Sequence, residues 1–128
     1  MKLILDTCVL LWMAGNPDKL SSSARKALAP SNEFYISAIS AFEIAIKNKK
    51  KKLALPTDPW TWFQRVTGHF KMKEIPISAR IAALAPDVDV PHGDPADRII
   101  LATAIENQLP LVSSDRLIQK CNQVEVIW

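Results

Sequence analysis

The chain has 128 residues, of which 48% are apolar and 23% charged, with a formal net charge of +3. That supplies one domain with a two- or three-layer core and excludes disordered and fibrous classes. The longest apolar run, around Val9 to Ala14, is far too short to span a bilayer, so no membrane partner is expected.

In chain order, Lys2 to Leu5 reads as a short buried parallel strand ending at Asp6-Thr7. Val9 to Ala14 forms a short helix stopped by Gly15, Asn16 and Pro17. Ser21 to Ser23 cap a second helix running to Leu28, and Phe34 to Ile36 is the next strand. Ser40-x-x-Glu43 has the form of a capping box opening a helix through Ile44, Ile46 and Lys47. Trp60 to Phe70 reads as an amphipathic helix with Trp60, Phe63, Val66 and Thr67 on one side, in contact with the core or with another protein. Glu74 to Ile77 is extended, and Ser78 caps a helix over Ala79 to Ala85. Asp94-Pro95-Ala96-Asp97 opens the strongest helix, continuing to about Gln108, since Pro favours the first helical position. Leu109 to Val112 and Val124 to Ile127 are the closing strands, the first ending in Ser113-Ser114-Asp115. Strands alternating with helices predict an α/β fold over residues 1–128: a central parallel sheet with helices on both faces.

No small-residue cleavage site follows the first apolar stretch, so no signal peptide is read and the cytoplasm is expected. Cys8 and Cys121 have no metal-ligand spacing; a disulfide is not expected, and Cys8 reads as core. The cluster Lys47, Lys49, Lys50, Lys51 and Lys52 suits a solvated helix end that complements the helix dipole.

Ligands of open parallel sheets bind beyond the carboxyl ends of the strands. Asp6 and Asp115 follow apolar strands and stand at that edge, and Glu43 and Asp97 are placed in first turns of helices, from which they can also face it. Each has an ordinary structural role open to it as a cap or turn residue. Together they would repel one another and take up protons near neutral pH, a conflict that a divalent cation removes. Carboxylate and water oxygens suit Mg²⁺ or Mn²⁺ rather than zinc.

The segments Leu3-Ile4-Leu5-Asp6-Thr7, Ser37-x-x-Ser40-x-x-Glu43-Ile44, Asp94-Pro95-Ala96-Asp97-Arg98 and Val112-Ser113-Ser114-Asp115 resemble, in order and separation, the motifs of PIN domains. The form His92-x-Asp94-Pro95-x-Asp97-Arg98 resembles the VapC-type toxins of toxin–antitoxin pairs. The resemblance spans Lys2 to Trp128. It implies that Asp6, Glu43, Asp97 and Asp115 hold Mg²⁺ or Mn²⁺ and that the enzyme cuts RNA. It also implies a homodimer and a small antitoxin protein wrapped over the site. Asp94 is read as an outer ligand or a cap, Thr7 and Ser113 as hydroxyls orienting carboxylates, and Ser40 as a residue behind the ligands or in contact with substrate. Relatives often carry Thr where this chain has Ser113. Arg98 is read as pairing with a carboxylate or touching a phosphate, and His92 as a loop residue near the site.

The chemistry expected is phosphodiester hydrolysis, with single-stranded RNA held through phosphate contacts. Lys49, Lys50, Lys51 and Lys52 lie on the order of 10 Å along the helix from Glu43, suited to the RNA backbone and not the reacting phosphate. A receiver-type phospho-acceptor domain would need paired acids after the first strand and an Asp ending a middle strand. Here Asp6 is alone and the middle strand ends in Ser37. A non-catalytic nucleic-acid or protein binding module of the same fold stays the alternative.

Overall fold

The computed structural model describes residues 1–91 and 94–128; the expectation for His92 lies outside them. The elements run β1 (Lys2–Leu5), α1 (Thr7–Gly15), α2 (Ser22–Ala27), β2 (Glu33–Ser37), α3 (Ala38–Lys49) and α4 (Pro59–His69). They continue β3 (Lys73–Ile75), α5 (Ala79–Leu84), α6 (Pro95–Asn107), β4 (Leu111–Val112), α7 (Arg116–Gln119) and β5 (Val126–Ile127).

The strands form one sheet in the order β3-β2-β1-β4-β5, and every pairing is parallel. β1 is central because it can be buried on both faces. Leu3, Ile4 and Leu5 are fully buried, and the alternation of the strand sends Leu3 and Leu5 to one core and Ile4 to the other. Each such side chain contributes about 1.5–3 kcal/mol of burial. The Leu3–Leu5 side is closed by Val9 and Leu10 of α1, Ala24 of α2, Ile44 of α3 and Phe63 of α4. The Ile4 side is closed by Ile81 of α5, Ile100 and Leu101 of α6 and Ile118 of α7. The predicted sheet covered on both faces is the observed architecture.

Several boundaries differ from expectation for local reasons. α1 begins at Thr7 because Asp6, in extended conformation, caps it, its carboxylate accepting from the Thr7 amide. The capping box at Ser40 does not form: Ser37 caps α3, accepting from Ile39 N at 3.2 Å, and Ser40 and Glu43 lie inside the helix. Glu43 therefore stands beyond the first turn. Trp60 is 61% exposed while Phe63 is buried, so α4 turns Phe63 and not Trp60 to the core. β4 is shorter than predicted because Gln108 takes a left-handed conformation (φ 54°) and the Leu109 amide still donates to Ala104 O of α6. α7, short and capped by Asp115, is an addition to the predicted elements. Among the described residues, no helix is long and apolar enough to cross a membrane.

Candidate metal centre

From β1 the chain proceeds to β2 and β3 on one side, and β4 and β5 are added on the other. The strand order reverses between β1 and β4, and the crevice past their carboxyl ends is where such sheets bind ligands. Asp6 follows β1 and Ser113 follows β4. The Ser113 hydroxyl donates to Asp6 Oδ2 at 2.8 Å and the Thr7 amide donates to Oδ1 at 2.8 Å, so both carboxylate oxygens are fixed. Each oxygen keeps a lone pair for a further partner.

Glu43 is held from the same region. Thr7 Oγ1 donates to Glu43 Oε1 at 2.5 Å and lies 2.8 Å from Ser40 Oγ. A threonine hydroxyl has one proton, so with that proton on Glu43 the buried Ser40 is the donor to Thr7. Ser40 and Glu43, three positions apart, share one face of α3 and meet Thr7 together. The Ser-x-x-Glu spacing thus serves a tertiary hydrogen-bond chain, not a cap.

Asp94 and Asp97 come from the start of α6. Asp94 caps the helix, Oδ1 accepting from Ala96 N at 3.0 Å, and Asp97 lies in its first turn. Glu43, Asp94 and Asp97 each offer a carboxylate oxygen, and these lie within 4.8 Å of one another. Ligands about 2.1–2.5 Å from one hard cation are at most about 5 Å apart, so the spacing fits a shared ion. Asp94, expected as an outer ligand or a cap, is both a cap and a member of this tight cluster. The pattern Asp94-Pro95-Ala96-Asp97 carried the signal: a cap and a first-turn residue stand over the same end of a helix.

Asp6 and Asp115 border the cluster electrostatically. Burial is the main force pushing the Asp97 carboxyl up to about 7, followed by the charges of Asp6, Asp94, Glu43 and Asp115. Burial also raises Asp6, opposed by the hydrogen bonds from Ser113 and Thr7. Glu43 is raised by burial and lowered by the Thr7 hydroxyl. Asp115 caps α7, accepting from Leu117 N at 2.8 Å and Ile118 N at 3.2 Å, and its own amide donates to Ser113 Oγ at 3.1 Å. The amino ends of α1 and α6 both meet this crevice, and their positive dipole ends offset part of the negative charge.

Arg98 is engaged elsewhere. Its guanidinium donates to the carbonyls of Pro86 (3.3 Å), Val88 (3.0 Å) and Val90 (3.1 Å), tying that segment to α6 next to Asp97. Cys8 is half-buried and not part of the core, and its free thiol is pushed up by burial and by the charge of Asp6.

The lysine run is divided. Lys47 lowers the pKa of both Asp6 and Glu43 by its charge. Lys47 and Lys50 line a groove of about 370 Å³ with Phe42, Glu43 and Asp94. Lys51 is left-handed (φ 59°), turning the chain so that Lys52 lines a different cleft, on the α1 side. Lys49 and Lys51 are exposed and line neither.

The model of the PIN domain matches residues 3–122. The chain belongs to the PIN-domain family. It is 36% identical over 113 residues to Ribonuclease VapC22 of Mycobacterium tuberculosis, covering 88% of this chain and 86% of that protein. Two solved structures share the PIN fold. VapBC2 from Rickettsia felis, bound to a DNA fragment from its promoter, superposes with a TM-score of 0.69 at 16% identity, over 98% of this chain and 97% of the other. A toxin–antitoxin complex from Klebsiella pneumoniae gives 0.58 at 25% identity, over 95% and 94%.

Proposed function

We propose that this PIN domain is an endoribonuclease that depends on Mg²⁺ or Mn²⁺ and acts as the toxin of a toxin–antitoxin pair. The observation that carries the reading is the convergence of Glu43, Asp94 and Asp97 within 4.8 Å, bordered by Asp6 and Asp115, in a chain 36% identical to a ribonuclease. A hard divalent ion fits the all-oxygen donor set, and when bound it polarises the phosphoryl oxygens and acidifies water. Asp6, Glu43, Asp97 and Asp115 are the residues assigned to hold it, with Asp94 alongside. Thr7, Ser40 and Ser113 orient the carboxylates, and Asp97 holds a proton at its carboxyl near neutral pH until the site is charged. Lys49, Lys50, Lys51 and Lys52 are assigned to the RNA backbone; of these, Lys50 lines the groove with Glu43 and Asp94, and Lys52 lines the cleft on the α1 side.

Family membership, and structures solved as toxin–antitoxin complexes, support a protein antitoxin as partner. A homodimer acting in the cytoplasm belongs to the same proposal. The test is incubation of the purified protein with total RNA in Mn²⁺ and mapping of the cleaved ends. Discrete new ends, lost in EDTA, are expected; an intact RNA population would remove the reading and favour the binding module.

A further inference from the structure

The aromatic cleft on the α1 side plays no part in the metal centre described above, yet it opens against it. Its volume is about 690 Å³, within the range of small-ligand sites, and its lining includes Cys8, Trp12, Lys19, Lys47, Lys52 and Trp62. No acidic residue is among that lining. Lys47 marks where it meets the carboxylates, for it lines both this cleft and the groove that holds Glu43 and Asp94.

We propose that this cleft holds the nucleotide next to the scissile phosphate of a single-stranded RNA, with Trp62 against the base and Lys19 and Lys52 at the phosphates. The inference rests on the ribonuclease reading and specifies where its substrate lies. A crevice crowded with carboxylates repels a polyanion, so cations beside it must bring the strand in. Two indoles set among aliphatic residues, with three lysines beside them, suit a ligand with a flat apolar body and negative charges, and any base stacks on an aromatic face without regard to sequence. Trp12 is already engaged, 5.6 Å from the Trp128 ring and with Lys19 Nζ 6.0 Å from its own. Trp62 is half-buried against the core and makes no ring contact among the described residues, so its exposed part is the contact to the base. Lys19 and Lys52 are exposed and take part in none of the ion pairs among the described residues.

Binding of a fluorescent 12-nucleotide mixed-sequence RNA, followed by anisotropy in EDTA so that nothing is cut, tests this. An abasic strand of the same length is the second probe. Trp62→Leu should weaken the normal strand about tenfold and leave the abasic strand unchanged. The double variant Lys19→Gln, Lys52→Gln should weaken both and lower the salt slope by about 1.4, at about 0.7 per lost phosphate contact. A control pair outside the lining of the cleft, Lys26→Gln with Lys120→Gln, should stay within twofold. The lysine variant changes only exposed positions, so it decides the matter even if Trp62→Leu folds poorly. If wild type cuts RNA in Mn²⁺ but both variants bind RNA as it does, the cleft is not the RNA site and a peptide is the better occupant. If wild type neither binds nor cuts RNA, the ribonuclease reading falls with it.

Discussion

Ser113 Oγ donates to Asp6 Oδ2 at 2.8 Å, a bond between residues 107 positions apart that ties the ends of β4 and β1 across the point where strand order reverses. Ser113 is fully buried and Asp6 nearly so, and the bond opposes the desolvation that raises the Asp6 carboxyl. Ser113→Ala should therefore reduce Mn²⁺ affinity or cleavage by about 10–100-fold, the usual cost of losing a group that orients a metal ligand. Ser113→Thr keeps the hydroxyl and should stay near wild type. Mn²⁺ titration of the two variants side by side checks it, and equal loss in both would show that the hydroxyl is not what matters.

Thr7→Val keeps the shape of a buried side chain but leaves the Ser40 hydroxyl without its acceptor and Glu43 without its donor. Stability should fall by about 1–3 kcal/mol in urea denaturation, and Mn²⁺ affinity should fall with it. Thr7→Ser should recover most of both.

Asp97→Asn should abolish cleavage while the fold persists. In the folded protein the Asp97 carboxyl titrates near 7 against an ordinary 3.8, so the folded state holds this proton more tightly than the unfolded state. The resulting stabilisation is full below the ordinary carboxylate range and is lost as pH rises through about 7. EDTA-treated wild type should thus melt lower at about pH 8 than at about pH 5.5. The Asn variant should lose less over the same interval, and at about pH 8 should melt a few degrees above wild type. Identical melting curves across that range would show that the charge on Asp97 is not under stress.

The same group couples metal uptake to proton release. At about pH 6.5, Mn²⁺ binding should expel close to one proton per site, measurable as a dependence of calorimetric heat on the buffer's ionisation enthalpy. Asp97→Asn should remove that dependence along with most of the affinity.

Much of this was legible in the chain. β1 declares itself because Leu3, Ile4 and Leu5 are all apolar, as a strand buried on both faces must be. α6 was readable because Asp94 and Pro95 are a cap and first-turn residue whose preference is local. What failed was non-local. Ser37 and Ser40 are both competent caps, and only the path of β2 into α3 chooses Ser37. Ser40 then finds Thr7, 33 positions away, a contact no spacing rule reveals. Helical periodicity sets Trp60 beside Phe63, but that pattern does not say which apolar residue the sheet leaves outside. Asp115 reads as a strand end, while the brief α7 it caps is too short to carry a periodic pattern. The division of the lysine run depends on a left-handed Lys51, to which a row of identical side chains gives no clue.

Whether these carboxylates cut RNA by way of a divalent cation is decided by single-turnover cleavage of a defined RNA with metal-stripped protein. No cleavage is expected after exhaustive EDTA treatment and dialysis, with full recovery on adding Mn²⁺ or Mg²⁺ to wild type and none on adding either to Asp97→Asn. Cleavage that persists in the stripped protein, or that returns in the Asn variant as fully as in wild type, would overturn the proposed role of the carboxylates.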